Sequence, residues 1–168
     1  MNHYDPAMYS TMLCIIALAE LFSPKLSTSY INQLSLSYTD RLGTCIEVAN
    51  AADMDPIVPQ SLAVAVAFEE SKFDGRVVSR SGAHGAMQVI PFYSCPDKRL
   101  KGCDLVKAGI VALHYWIVNT KNYFAAACKY NAGNVCSKAG RGYARRVTKR
   151  AARLRAQMKN ISYDFETE

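Results

Sequence analysis

Seven apolar residues in succession, Leu62-Ala63-Val64-Ala65-Val66-Ala67-Phe68, run directly into Glu69-Glu70. Pro59 is tolerated in a first helical turn, and the segment reads as a helix from there to about Ser71. A helix that is apolar on most sides cannot lie on a surface, so this one must be central and the other elements must enclose it. The chain has the material to do so: 168 residues suit one domain with a real core, and half of them are apolar.

The enclosing elements also read as helices. Arg41 to Ala52 carries Cys45, Val48 and Ala52 three and four apart, and Asp53-Met54-Asp55-Pro56 stops it. Leu105, Ala108, Gly109, Ala112, Leu113 and Trp116 keep helical spacing across Asp104 to Asn119. Tyr123 to Tyr130 is a short helix ending at Asn131-Ala132-Gly133. The last helix spans about Tyr143 to Lys159, with Val147, Ala151, Leu154 and Met158 as its apolar stripe. Asp74 to Gly85 reads as a loop punctuated by Gly75, Gly82 and Gly85, and Pro91 to Gly102 as a second loop. No strand alternation stands out, although Val89-Ile90 suits a short extended piece. The expected fold class is therefore mainly α.

One carboxylate stands apart. Glu70 lies one turn from Val66 and Ala67 and one turn before Phe73, surroundings that disfavour ionisation and raise a carboxyl pKa. Glu69 is rotated by about 100° on the same helix and should face elsewhere, toward solvent or a basic neighbour. A partly desolvated carboxylic acid facing a groove is what acid-catalysed cleavage of a sugar–sugar bond requires. A glutamate at a helix end is otherwise a solvated cap, so the surrounding residues must decide.

Net charge is +6, which favours anionic partners such as nucleic acid, phospholipid headgroups or an acidic wall polymer, or simply reflects surplus surface lysine and arginine. The last helix concentrates it in Arg145, Arg146, Lys149, Arg150, Arg153, Arg155 and Lys159. That pattern suits either a membrane-approaching amphipathic helix or the solvated face of a packed one. Cys14, Cys45, Cys95, Cys103, Cys128 and Cys136 form an even set compatible with disulfides and an oxidising compartment, or with inert buried thiols. Cys95 with Cys103, and Cys128 with Cys136, are placed to pair locally. Each pair spans seven residues, wider than the two to four usual within a zinc-ligand pair, which argues against a metal. Pro6 to Ala19 is uncharged and mostly apolar, short of the ~20 residues needed to span a bilayer. Its first Lys or Arg, Lys25, comes only afterwards and Asp5 precedes it, unlike a secretory signal. It reads as an ordered apolar helix serving as membrane anchor, assembly contact or core, and Ser23 to Thr39 as a polar connector.

From Leu62 to Pro91 the chain resembles the soluble lytic transglycosylase family, a branch of the lysozyme-like fold. The family shows Glu-Ser and an aromatic residue, a serine nine residues after the glutamate, then Gly-Ala-x-Gly-x-Met-Gln and hydrophobic residues ending in Pro. This chain reads Glu70-Ser71-Lys72-Phe73, Ser79, and Gly82-Ala83-His84-Gly85-Ala86-Met87-Gln88-Val89-Ile90-Pro91 without a gap. Asp104 to Gly109 resembles the family's helix with an internal glycine. Ala126-Ala127-Cys128-Lys129-Tyr130-Asn131-Ala132-Gly133 resembles its Tyr-Asn-Ala-Gly signature, and Gly142-Tyr143-Ala144-Arg145-Arg146-Val147 the start of its last helix. The resemblance covers roughly Arg41 to Arg150.

The resemblance implies a lysozyme-like (goose-type) helical domain over residues 40–160, preceded by an N-terminal helical extension over 1–39 and followed by a tail over 161–168. It implies peptidoglycan glycan strands as substrate, Glu70 as the single catalytic acid/base, and no metal or cofactor. Ser79 would donate to the sugar's N-acetyl group or to Glu70, with a loop hydroxyl satisfying its own backbone as the alternative. Met87 and Gln88 would line the groove, or else pack as ordinary core. Tyr130 would hydrogen-bond Glu70 and hold its rotamer, and Asn131 and Gly133 would shape the turn presenting it. Phe73 is expected in the core.

Three departures stand out. His84 and Ala86 replace residues of other size, and His84 reads as a loop-surface histidine. Ala139-Gly140 stands where the family often has Glu-Thr before Arg-x-Tyr. The resemblance does not cover the N-terminal extension. A muramidase that hydrolyses the same bond with water remains open, with Asp97 or Asp104 to position the water. So does an assembly module of a virion, secretion or conjugation apparatus. Action is expected in the periplasm or wall, from a phage particle or an exported bacterial protein. The non-basic N-terminus favours the virion-associated case. No specific nucleic-acid partner is expected.

Overall fold

The computed structural model describes residues 5–21 and 38–166, with side chains to residue 160. Among the described residues there are seven α-helices and no strand: α1 (Pro6–Ala19), α2 (Tyr38–Asp53), α3 (Gln60–Ser71), α4 (Pro91–Ser94), α5 (Leu105–Thr120), α6 (Tyr123–Ala132) and α7 (Lys138–Glu166), with a 3₁₀ turn at Pro96–Lys98. The polar connector expected over Ser23 to Thr39 lies almost wholly outside the described residues, and its last two positions fall in the described range.

The apolar helix is central. Every residue of α3 from Ser61 to Phe68 is buried, and α1, α2 and α7 pack around it. The core continues through Leu113 of α5, Ala126 and Ala127 of α6, and Val147 and Leu154 of α7. Apolar burial of this kind stabilises by ~25 cal/mol per Å² removed from water. The helix ends have local causes. Asp5, Asp104 and Asn122 accept hydrogen bonds from the backbone amides of Ala7, Lys107 and Ala125 at 3.0, 3.0 and 2.9 Å, satisfying donors that a helix N-terminus leaves free. Gly133, at φ +73°, closes α6.

Some boundaries differ from expectation. The last helix runs on to Glu166, past Lys159 and into the stretch expected as a tail, and α2 begins three residues early, at Tyr38. Pro91 to Gly102 is not wholly loop: it holds α4 and the 3₁₀ turn, too short to show a helical period. The last helix starts five residues earlier, at Lys138, because Ser137 caps it: its Oγ accepts from the Gly140 amide at 3.0 Å. Gly140 has a packing reason, since a Cβ there would lie 2.8 Å from Ala132 Cβ and 3.1 Å from Cys128 Sγ.

All six cysteines are in disulfides: Cys14–Cys45, Cys95–Cys103 and Cys128–Cys136. The two local pairs are those the spacing allowed. The third joins α1 to α2, and Leu13, Ala17 and Leu18 of α1 are fully buried in the core. The apolar face of α1 is thus occupied within the domain. Among the described residues no helix is long and apolar enough to cross a membrane.

Candidate active site

Glu70 lies in the last turn of α3, where the chain leaves the helix through two consecutive left-handed residues, Lys72 (φ +56°) and Phe73 (φ +63°). Such conformations cost non-glycine residues about 1–3 kcal/mol each and persist only when the surroundings fix them. Here Phe73 is buried, 5.8 Å from the Phe68 ring in an edge-on contact. Arg41 of α2 donates to the Lys72 carbonyl, and Lys72 Nζ donates to the Phe68 carbonyl at 2.9 Å. Ser71 Oγ donates to the Ala86 carbonyl at 2.8 Å, binding the Gly82–Gln88 loop to the helix beside Glu70.

The loop is braced from within. His84 bridges to both Val78 and Val89 in antiparallel fashion, so Val89 forms the short extended piece that its sequence suggested. Gly85 has φ +76°, and a Cβ there would lie 3.0 Å from Leu105 Cδ1. Gln88 is itself left-handed at φ +48°, and its Nε2 donates to the Val77 and Gly85 carbonyls, both at 3.0 Å.

The Glu70 carboxyl is held up at about 7, above its ordinary 4.5. Burial is the largest cause. Tyr143 opposes it, the neighbouring Glu69 charge adds to it, and Lys72 opposes it. At neutral pH the group is therefore divided between acid and carboxylate, the condition for donating and then accepting a proton. Tyr143, 4% exposed, engages this carboxyl from α7. Its hydroxyl completes no hydrogen bond at full distance and angle, so the contact is a loose one. Burial and the Glu70 charge push the Tyr143 hydroxyl well above the usual range.

Glu69 is turned away, as helix geometry required, and meets basic neighbours instead of solvent. Its side chain is 6% exposed and is bound by Arg146 Nε at 2.9 Å and by Arg150 Nη2 at 3.0 Å.

The supporting residues depart from expectation in instructive ways. Tyr130 does not donate to Glu70. Its hydroxyl donates to the Met87 carbonyl at 2.8 Å, although burial and the Glu70 charge both raise its pKa. Met87 does not present its side chain to a groove: it is fully buried against α5, where a Cβ on Gly109 would lie 2.7 Å from both Met87 Cβ and Sδ. Ser79 Oγ accepts from the Ala83 amide at 3.0 Å and pairs with Ser81 Oγ at 2.9 Å, closing its own turn. Gln88 spends its amide protons on backbone carbonyls. Asn131 is exposed near the end of α6.

Tyr143 is a site residue that the motif residues do not mark. The signal was present: Tyr143 stands four residues before Val147, on the same stripe as Ala151, Leu154 and Met158. With the helix expected to begin at Tyr143, that position was a frayed end. With the helix starting at Lys138, behind the Ser137 cap, it is one turn inside and faces the core.

A mainly helical domain wrapped round a buried helix is the architecture of the lysozyme-like fold. The chain matches the model of the transglycosylase SLT domain over residues 47–152, more than half its length, and it belongs to that family. No curated protein and no solved structure matches it significantly. Membership makes peptidoglycan the substrate and lytic transglycosylation the general activity.

Proposed function

We propose that this chain cleaves the β-1,4 bond between N-acetylmuramic acid and N-acetylglucosamine, with Glu70 as sole acid and base. The protonated carboxyl gives its proton to the glycosidic oxygen as the bond to the muramic C1 breaks. The resulting carboxylate takes the proton of the muramic C6 hydroxyl, whose oxygen attacks C1 and closes 1,6-anhydromuramic acid. The proton lost in the first step is regained in the second, and no water is consumed. Because the nucleophile belongs to the substrate, proximity replaces a positioned water and its carboxylate.

The observation that carries this reading is the elevated Glu70 carboxyl, kept up by burial within the family's Glu-Ser motif. The other acids considered have different engagements. Glu69 is committed to two arginines, Asp104 caps α5, and Asp97 lies on the exposed 3₁₀ turn. Ser79, Gln88 and Tyr130 act by fixing the loop over Glu70 and Tyr143 by engaging its carboxyl, while Asn131 is open to sugar contact. Three disulfides suit work in the periplasm or wall, delivered by a virion or by a secretion or conjugation apparatus.

Digestion of purified sacculi followed by mass spectrometry tests the proposal. Anhydro-muropeptides are expected from the wild type and none from Glu70→Gln. Hydrated reducing ends in their place would assign the muramidase reaction instead.

A further inference from the structure

Helix α7 brings a cluster of cations to the acid end of α3. Arg146 and Arg150 bind Glu69. The Arg150 guanidinium also lies 3.4 Å from the Phe68 ring centroid, and Lys72 Nζ lies 4.4 Å from the same ring. Arg153 follows Arg150 on the same helix. Burial and Arg153 push Arg150 down to about 10, which leaves it charged at neutral pH. Positive charge gathered one residue away, around Glu69, favours the ionised form of a neighbouring carboxyl.

Two carboxylates offset them. One is Glu69. The other is Glu20, immediately after α1, which pairs with both Arg150 and Arg153. Glu20 is held in place on both sides: Leu18 and Leu21 are buried, and Cys14 ties α1 to Cys45. It lies outside the family match, which begins at residue 47.

We propose that Glu20 is a positioning residue of the active site, cancelling the arginine charge that α7 brings to the end of α3 and thereby keeping Glu70 available as an acid. The inference rests on the reading of Glu70 as acid and base. The groups that act on Glu70 are Glu69 and Lys72 from α3 and its cap, Tyr130 from α6, and Tyr143 from α7, while Arg146 of α7 meets Glu69. Arg41 of α2 and Asp74 pair with each other behind the Lys72 carbonyl. Glu20 reaches Glu70 only through the Arg150–Glu69 link. It does so from a segment that precedes the family match.

The sign follows from charge. Replacing Glu20 by Gln removes the negative charge that Arg153 and one side of Arg150 meet, Arg150 keeping Glu69, so the Glu70 carboxylate becomes easier to form. Replacing Arg153 by Gln does the reverse.

The test uses the full-length oxidised protein with carbon-13-labelled glutamate carboxyls, the Glu70 signal being assigned by its loss in Glu70→Gln. In Glu20→Gln the Glu70 midpoint is expected to fall by roughly half a pH unit, the size one charge exerts through partly solvated surroundings. Arg153→Gln, at a half-exposed position, is expected to raise it, and the double variant Glu20→Gln with Arg153→Gln to return it toward the wild type. On sacculi, the alkaline limb of the rate profile should move with the midpoint, a loss of about threefold at a fixed alkaline pH for Glu20→Gln. A midpoint that stays put or rises in Glu20→Gln, or a double variant no different from the single one, overturns the inference and leaves the catalytic reading standing. Full activity in Glu70→Gln overturns the catalytic reading, and the inference with it.

Discussion

Replacing Glu70 by Gln should make the protein more stable, and increasingly so as pH rises. In the folded chain the Glu70 carboxyl is held up at about 7 against an ordinary 4.5. Below the lower value both folded and unfolded chains carry the proton, and the group contributes nothing. Between the two values the folded chain retains a proton that the unfolded chain has released, so stability falls as pH rises. Each pH unit in that window is worth about 1.4 kcal/mol, which sums to a cost of about 3 kcal/mol above pH 7. Glutamine does not titrate and escapes it. Asp55, where hydrogen bonds from the Ile57 amide and His114 outweigh burial and hold the carboxyl low, acts in the opposite sense but is common to both proteins and cancels. Urea unfolding of oxidised wild type and Glu70→Gln at pH 4, 6 and 8 measures the difference. The expected stabilisation is near zero at pH 4 and about 3 kcal/mol at pH 8. A difference that does not change with pH would show that Glu70 is not held protonated by burial.

Three further outcomes are expected. Gly109→Ala gains about 1 kcal/mol of helix propensity but drives a methyl into Met87 Cβ and Sδ, overpacking worth about 1–3 kcal/mol. Its thermal midpoint should therefore fall, and a rise would show that Met87 moves aside freely. Serine at both Cys14 and Cys45 removes a cross-link over 31 residues and should cost about 3–4 kcal/mol in urea unfolding. A negligible loss would mean that the apolar face of α1 suffices to hold it. Tyr143→Phe removes a group that favours the Glu70 carboxylate, so the alkaline limb of the rate profile should move to higher pH. An unmoved limb would refute that contact.

The all-apolar run at Leu62–Phe68 made the central helix legible, because only burial on every side accommodates such a face. Glu70 was legible for the same reason, and the turning of Glu69 followed from the helical repeat alone. What could not be read was the direction of individual side chains where the backbone is unusual. Gln88 is left-handed, and that conformation sends its amide and the Met87 carbonyl inward to partners that the motif does not reveal. Tyr130 therefore serves the Met87 carbonyl, and Met87 serves the core against Gly109. The Cys14–Cys45 pairing and the Glu20 contacts were hidden because they join residues distant in sequence, across a stretch whose composition carries no period.

The central claim is that one buried carboxyl cleaves the glycan with the substrate's own hydroxyl as nucleophile. Digestion of sacculi in water enriched in heavy oxygen tests it most directly. The account predicts muropeptide ends that carry no heavy oxygen and are lighter than hydrolysis products by one water. Incorporation of one heavy oxygen atom at the muramic C1 would contradict it.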